Sequence, residues 1–267
     1  MERYHFHEFF EINYVLSGDV RFFVADQIYQ ATSGSLLVFN YTDLHRSASP
    51  PSALYERIVL YFSPEDVQGL SSAQTNLLGC FVGRAPDYSH CIQLNPEQSA
   101  VLLSLFDKAT LYHGTERFGS DVYEKIALAE ILLNINELFS SSSSVRSLRS
   151  VPEMKRVLPM LIYINEHLHE DLSLERLAKT FYISKYHISH IFKKATGFTP
   201  KEYIIHRRII KARKLLKQRE LSVQSIGECV GFNNNSHFIR AFKALVGTSP
   251  KQYSLSSHHK KDLKVIP

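Results

Sequence analysis

The C-terminal third of the chain repeats itself. From Leu172 it reads LSLERLAKTFYISKYHISHIFKKATGFTPKEY, and from Leu221 it reads LSVQSIGECVGFNNNSHFIRAFKALVGTSPKQY. The copies share a Leu-Ser opening, an Ile/Phe-x-x-x-Phe-Lys core and a Gly-x-[ST]-Pro-Lys-x-Tyr exit. Repetition of this kind fixes the architecture before any other feature does. Two copies are too few for a solenoid, but two helix-turn-helix units side by side make a DNA reader.

In the first copy Leu174, Leu177, Ala178 and Phe181 fall at the spacing of one helical face. After a turn at Tyr182-Ile183, Ser184 stands where an N-cap belongs. Ile188, Ile191 and Phe192 then supply the apolar face of a second helix that ends at Gly197. Its other face carries Lys185, Tyr186, His187, Ser189, His190, Lys193 and Lys194, all able to donate hydrogen bonds to phosphates or base edges. In the second copy Val223, Ile226 and Val230 form the core stripe, Gly231 makes the turn, and Phe238 and Phe242 are the buried positions. Asn234, Asn235, Ser236, His237, Arg240 and Lys243 are left for solvent or DNA. Between the copies PKEYIIHRRIIKARKLLKQ reads as one continuous helix, with Pro200 at its start and Ile204, Ile205, Ile209, Ala212 and Leu216 on one side. Its span of roughly 27 Å is close to the ~34 Å between successive major-groove openings on one face of B-DNA.

Gly231-Phe232, Phe238-x-x-x-Phe242-Lys243 and Gly247-x-x-Pro250-x-x-Tyr253 together resemble the signature of AraC/XylS-type transcription regulators. The set Ala178, Phe192-Lys193, Gly197, Pro200 and Tyr203 is similar to its first half. The resemblance covers Val151 to Tyr253. It implies that the exposed second helix of each unit enters the major groove, with Tyr186, Ser189 and His190 reading from unit one and Asn235, Ser236 and Arg240 from unit two. Ser189 and Ile239 are smaller or less polar than the family commonly has there. Pro159, inside the stretch Met154–Leu168, predicts a kink in the opening helix or marks its true start.

Charge is divided in the same sense. Residues 1–150 hold 10 Lys and Arg against 17 Asp and Glu, and residues 151–267 hold 21 against 9, so the overall +5 hides an acidic half and a basic half. A basic half favours a polyanion through counterion release. Arg207, Arg208, Lys211, Arg213, Lys214 and Lys217 contribute to it, although alone they would read as a solvated helix face. No stretch approaches the ~20 apolar residues that span a bilayer, and MERYHFHE lacks the pattern of a signal peptide, so a cytoplasmic protein is expected. Cys80, Cys91 and Cys229 have no metal-ligand spacing and read as reduced structural residues, with redox sensing by Cys80 and Cys91 the alternative.

Residues 9–62 alternate β-rich runs with turn signals: FFEINYVL, VRFFVA, SLLVFN and YERIVLYF, separated by Ser-Gly-Asp, Asp26-Gln27 and Ser33-Gly34. Such spacing predicts a barrel or jelly roll. His5-x-His7-x-x-x-Glu11 followed by Gly18 is similar to the first cupin motif. Gly34, Asn40 and His45 resemble a second one in which Asn40 and Thr42 replace the expected Pro and Gly. An N-terminal cupin-like sensor is also what the AraC/XylS resemblance implies. His5, His7, Glu11 and His45 have the types and spacing of a metal site. The preferred expectation is that they wall an organic-effector pocket with no metal and no cofactor, together with Arg21, Tyr55, Phe23 and Arg57, a lining suited to a sugar-like ligand.

Residues 96–139 then turn helical. One stripe is Leu102, Leu105, Phe106, Ala109 and Tyr112, and the other is Val122, Ile126, Ala129, Leu132, Leu133 and Ile135; the pair covers the barrel or a partner subunit.

The expected molecule is therefore α+β: a cupin-like β-barrel with a helical pair over residues 1–139, a linker over 140–152, an all-α double helix-turn-helix domain over 153–255 and a basic tail over 256–267. Its expected function is that of a ligand-responsive regulator, an activator, that engages double-stranded promoter DNA and RNA polymerase, responds to a small polar effector and forms a homodimer through its N-terminal domain. A metal-dependent cupin enzyme or metal sensor fused to a DNA-binding domain is the alternative. An architectural DNA binder without effector is favoured if side chains fill the barrel.

Overall fold

The computed structural model describes residues 4, 5, 7, 9–49, 54–82, 84, 88–141, 149–150, 152–255 and 263–266. The chain divides into two compact units, Met1–Ser150 with Lys261–Pro267, and Val151–Lys260.

The first unit is built on antiparallel strands β1 (Phe10–Ser17), β2 (Asp19–Val24), β3 (Gln27–Thr32), β4 (Ser35–Phe39), β5 (His45–Ala48), β6 (Glu56–Phe62) and β7 (Cys91–Gln93). Helices α1 (Pro96–Tyr112) and α2 (Ser120–Ser141) follow, then the short strand β8 (Arg149–Ser150). The C-terminal β9 (Leu263–Ile266) belongs to the same unit. Two sheets result, in the orders β7-β4-β1-β6-β9 and β5-β2-β3-β8. This is the β-rich N-terminal half expected from the strand spacing. Strands β3, β5 and β7 were not anticipated, because Gln27–Thr32, His45–Ala48 and Cys91–Gln93 are short or polar and gain strand geometry from their neighbours.

Strand β1 is buried on both faces, so its sequence FEINYVLS shows no clean alternation of apolar and polar residues. Phe10, Ile12 and Tyr14 join Leu102, Phe106, Ile131 and Ile135 of the two helices in one core. Val15 joins Leu37 and Phe39 of the same sheet and Val20, Phe22, Val24, Tyr29 and Ala31 of the other in a second core between the sheets. These inter-sheet side chains are at most 1% exposed, so this part of the sandwich is filled. The first helical stripe holds at Leu102, Phe106 and Ala109. The second shifts: Ala127, Leu128, Ile131, Leu132, Ile135 and Leu138 are buried, whereas Val122, Ile126 and Leu133 are exposed. Apolar residues surround this helix almost completely, so periodicity alone did not fix the inward face.

The second unit is all helical: α3 (Pro152–Glu166), α4 (Leu174–Phe181), α5 (Lys185–Thr196), α6 (Pro200–Gln218), α7 (Val223–Cys229), α8 (Asn235–Val246) and α9 (Pro250–Leu255). Helix α3 begins at Pro152 and runs through Pro159, which lies on an exposed face and does not mark the start.

The Gly-x-[ST]-Pro-Lys-x-Tyr exit is a stop and a restart. Gly197 and Gly247 close α5 and α8 in the left-handed conformation, where a side chain would be strained. Thr199 then caps α6, with Pro200 at its first position and the Glu202 side chain returning to the Thr199 N–H. Ser249 and Gln252 make the same reciprocal cap on α9.

Candidate functional site

The two helices that the repeat marks as readers are both exposed and both capped. Ser184 accepts from the His187 N–H to start α5, and Asn234 accepts from the His237 N–H to start α8. Burial of Ile188 and Phe192 in α5, and of Phe238 and Phe242 in α8, leaves one face of each helix outward. On α5 that face presents Lys185, Tyr186, His187, His190, Lys193 and Lys194, with Ser189 half-buried. On α8 it presents Asn235, Ser236, His237, Arg240 and Lys243. Three of the named residues have intramolecular work as well, Lys194 through an ion pair with Glu153 at 3.2 Å. Asn234 spends its side-chain oxygen on the cap, and Lys185 pairs with Glu175 at 2.6 Å, joining α4 to α5. Tyr186 is 83% exposed and lies parallel to His190, offering a flat face beside a ring with hydrogen-bonding nitrogens.

The arginines of the basic run in α6 are internal ties, whereas Lys211 and Lys217 are exposed. Arg207 is 4% exposed and donates from Nε to Asn165 Oδ1 at 2.7 Å, and Asn165 also bonds Tyr203. Arg208 donates to the Leu168 and Glu170 carbonyls at 2.8 and 2.7 Å, and Arg213 donates to the Tyr253 hydroxyl at 3.1 Å. Periodicity had left these arginines on the solvent side. Their long stems let them lie along the helix and reach a side-chain amide oxygen, two backbone carbonyls and a phenol hydroxyl.

In the first unit the cupin-like residues converge. The register of β1 pairs Glu11 with Phe39 on one side and Tyr61 on the other, so Glu11 points between the sheets with Asn13 and Val15. On β5, His45 stands opposite Val24 and likewise points inward. His7 Nε2 lies 2.7 Å and His45 Nε2 3.2 Å from the same Glu11 oxygen, Oε2, while Asn13 donates to Oε1 at 3.1 Å. Each ring is held from behind: His7 Nδ1 donates to the Phe9 carbonyl at 2.8 Å and His45 Nδ1 to the Asp43 carbonyl at 2.9 Å. Phe39 stacks on His45 with ring centroids 4.3 Å apart, and Tyr61 meets His7 edge-on at 5.0 Å. Burial would raise the Glu11 carboxyl, but the charge and hydrogen bonds of His45 and His7 outweigh it and hold it well below the usual carboxylate range. Burial would lower His45, and its contact with Glu11 outweighs that and raises it.

The other expected pocket residues are placed differently. His5 is exposed, with its ring 4.5 Å from that of His45 and its backbone bridged to His45. Tyr55 is half-buried against the inter-sheet core. Arg21 and Phe23 lie on the outer face of β2, where Arg21 donates to Gln30, because Val20, Phe22 and Val24 take the inward positions. A register read one residue out on β2 sends its whole side-chain set to the wrong side. Asn13, Phe39 and Tyr61 were not singled out from sequence, and the parity they share with Glu11 on paired strands is the signal that locates them.

A family model for the AraC-like ligand-binding domain matches residues 1–134, half of the chain, and one for a helix-turn-helix domain matches residues 177–255. The chain belongs to the AraC family of transcription regulators. Among relatives of this AraC-family protein is an uncharacterized HTH-type transcriptional regulator, YbfI, of Bacillus subtilis (strain 168), 29% identical over 87% of this chain and 80% of its own length. The HTH-type transcriptional activator RhaS of Enterobacter sp. (strain 638) is 26% identical over 93% of this chain and 86% of its own. The MmsAB operon regulatory protein of Pseudomonas aeruginosa is 40% identical, but over 34% of this chain and only 30% of its own length. These relatives are regulators and not enzymes, so the AraC-family protein acts by binding DNA, and its ligand-binding domain implies a small-molecule effector. No helix among the described residues is long and apolar enough to cross a membrane.

The cysteines of the AraC-family protein divide. Cys80 and Cys91 are buried free thiols that burial pushes up to about 12, whereas Cys229, read from sequence with them as structural, is exposed at the end of α7.

Proposed function

We propose that the protein is a cytoplasmic, effector-responsive activator that binds an asymmetric promoter site with two major-groove elements about one helical turn apart. The observation that carries this is the pair of exposed, capped helices α5 and α8 with different side chains on equivalent faces. Arg240 suits guanine O6 and N7 and Asn235 suits adenine, whereas Tyr186, Ser189 and His190 form a different set, so the half-sites differ. Lys193 and Lys243, in the last turns, suit phosphates.

The effector acts at the His7, Glu11 and His45 cluster, with His5 beside His45. Imidazoles and a carboxylate at a mouth lined by Tyr61 favour a small polar ligand of the carbohydrate class. Kinship to RhaS, named an activator, supports the sign of regulation and contact with RNA polymerase. Homodimerisation uses the outer side of α2, where Val122, Ile126 and Leu133 are exposed. Domain limits of 1–139 and 153–255 fit this division of labour, although residues 263–266 of the expected tail form β9 beside β6 in the first unit.

The test is selection of binding sites by the full-length protein from randomised duplexes, followed by footprinting. Two unlike protected elements about 10 base pairs apart are expected. A palindrome, or protection of a single element, overturns the proposal.

A further inference from the structure

We propose that Tyr182, in the turn of the first helix-turn-helix unit, is a DNA-backbone contact whose hydroxyl donates to a phosphate oxygen beside the groove entered by α5. The proposal rests on the reading of α5 as a DNA reader and adds a residue outside that helix which fixes how the helix is placed.

The repeat supplies the control. Tyr182 and Gly231 each stand ten residues after the Leu that opens their copy. Both are left-handed, with φ of +56° at Tyr182 and +97° at Gly231. Glycine suits that conformation, whereas a bulky L-residue brings its Cβ too close to the following carbonyl oxygen and is rare in it. Tyr182 closes α4 through its backbone N–H, which bonds the Ala178 carbonyl. Glycine makes that bond equally well.

The side chain gains nothing from within the protein. Tyr182 is 95% exposed, and its ring and hydroxyl make no hydrogen bond, ring contact or cation contact with any described residue. Ala25 and Arg219 are the other non-glycine residues with positive φ among the described residues. Ala25 is small, and Arg219 donates from Nε to the Ser254 carbonyl at 2.9 Å, which offsets its conformation. At Tyr182 the strain has no internal offset, so the use of the ring lies outside the chain.

Position and charge identify the partner. Ser184, two residues on, caps α5, so the Tyr182 Cα lies at most about 7 Å from the Cα at the start of that helix. Lys179, exposed, ends α4, and Lys185 opens α5, whose first turn holds no acidic side chain. Glu175 engages Lys185 on this side. The start of α5 also carries the positive end of the helix dipole. An anion flanking the groove meets all of these groups, and in a duplex that anion is a phosphate. A donor outside the reader helix bonds the sugar-phosphate backbone, which sets register and orientation and carries no base preference. A hydroxyl donating to a charged phosphate oxygen makes one of the stronger hydrogen bonds.

The experiment uses the full-length protein and the duplex obtained by site selection. Tyr182→Phe removes only the hydroxyl, and Tyr182→Gly installs the residue of the second copy. Each should weaken binding roughly tenfold, as expected for a lost hydrogen bond to a charged group. The loss should be equal across single-base operator variants, and Tyr182→Gly should leave the melting temperature unchanged or higher. Single phosphates are then replaced in turn by neutral methylphosphonates. At one position beside the α5 element the parent protein and Tyr182→Phe should bind alike. Parental affinity in both variants, preference relaxed at one base pair, or a difference that survives every phosphate replacement overturns the proposal. Unchanged affinity with lowered transcription overturns it too, and assigns Tyr182 to a protein partner. A parent protein that binds no duplex overturns the reading of α5 itself, and the proposal with it.

Discussion

Gly231 faces the backbone of Leu168 so closely that a Cβ on it would lie 2.3 Å from the Leu168 carbonyl oxygen and 2.7 Å from a guanidinium nitrogen of Arg208. Its φ of +97° is itself costly for any other residue. The turn before the second reader helix is thereby seated on the segment that follows α3, ahead of the first helix-turn-helix unit. Gly231→Ala should destabilise the DNA-binding unit by roughly 2–4 kcal/mol, from backbone strain and overpacking together. Urea unfolding of that unit checks it; a loss below 0.5 kcal/mol, on the order of a neutral surface change, would mean that the turn relaxes freely.

Arg240 and Arg207 should separate readout from folding. Arg240 is exposed on α8, so Arg240→Ala should cost about 1–3 kcal/mol in DNA binding and relax preference at one base pair, with the melting temperature unchanged. Arg207→Ala leaves the Asn165 oxygen without its bond from Nε and should lower the melting temperature instead. Affinities across a panel of single-base operator variants, with thermal melts alongside, discriminate the two. Uniform weakening by Arg240→Ala would assign it to a phosphate.

Phe242 sits at 0% exposure between Phe238 and Tyr253, with ring centroids 5.9 and 5.5 Å away. Phe242→Ser should cost about 3 kcal/mol or more and abolish DNA binding, since it opens a cavity and buries a hydroxyl with no partner. Circular dichroism melts and anisotropy titrations read both effects. A stable, fully binding variant would refute the register of α8.

Much of the second unit was legible because its determinants are local. Ser184, Gly197, Thr199 and Pro200 act within one turn of their own positions, so their spacing wrote out the caps and boundaries of α5 and α6. The first unit was less legible. Inward and outward faces of β1 and β2 depend on pairing with strands tens of residues away, which is why Glu11 and His45 could be named while Arg21 and Phe23 were put on the wrong side. The arginines of α6 were misread for a related reason. Nothing near Arg207 in sequence announces that Asn165, 42 residues earlier, will meet it.

Thiol chemistry offers a direct check on that packing. Cys80 and Cys91 are buried and pushed up to about 12, which cuts the thiolate fraction at neutral pH about a thousandfold, while Cys229 is exposed. Iodoacetamide on the native protein should therefore add one group, at Cys229, and three after denaturation. Native modification of Cys91 would show that the inter-sheet core opens.

His45→Ala should remove the response to effector in a reporter strain, while operator binding in vitro persists, because the cluster and the reader helices lie in different compact units. Induction equal to that of the parent protein would move the ligand site elsewhere.

Helix α6 joins the two reader units as a single run of 19 residues, capped at its start by Thr199 and tied along its length by Arg207, Arg208 and Arg213. A helix behaves as a screw: one inserted residue advances whatever follows by about 1.5 Å and turns it by about 100°. The second reader would then face away from the duplex, so half-site separation cannot drift by small steps in the protein. In the proposed two-element site, the length of this one helix therefore sets the separation of the elements, and only the bases within that frame are left to vary.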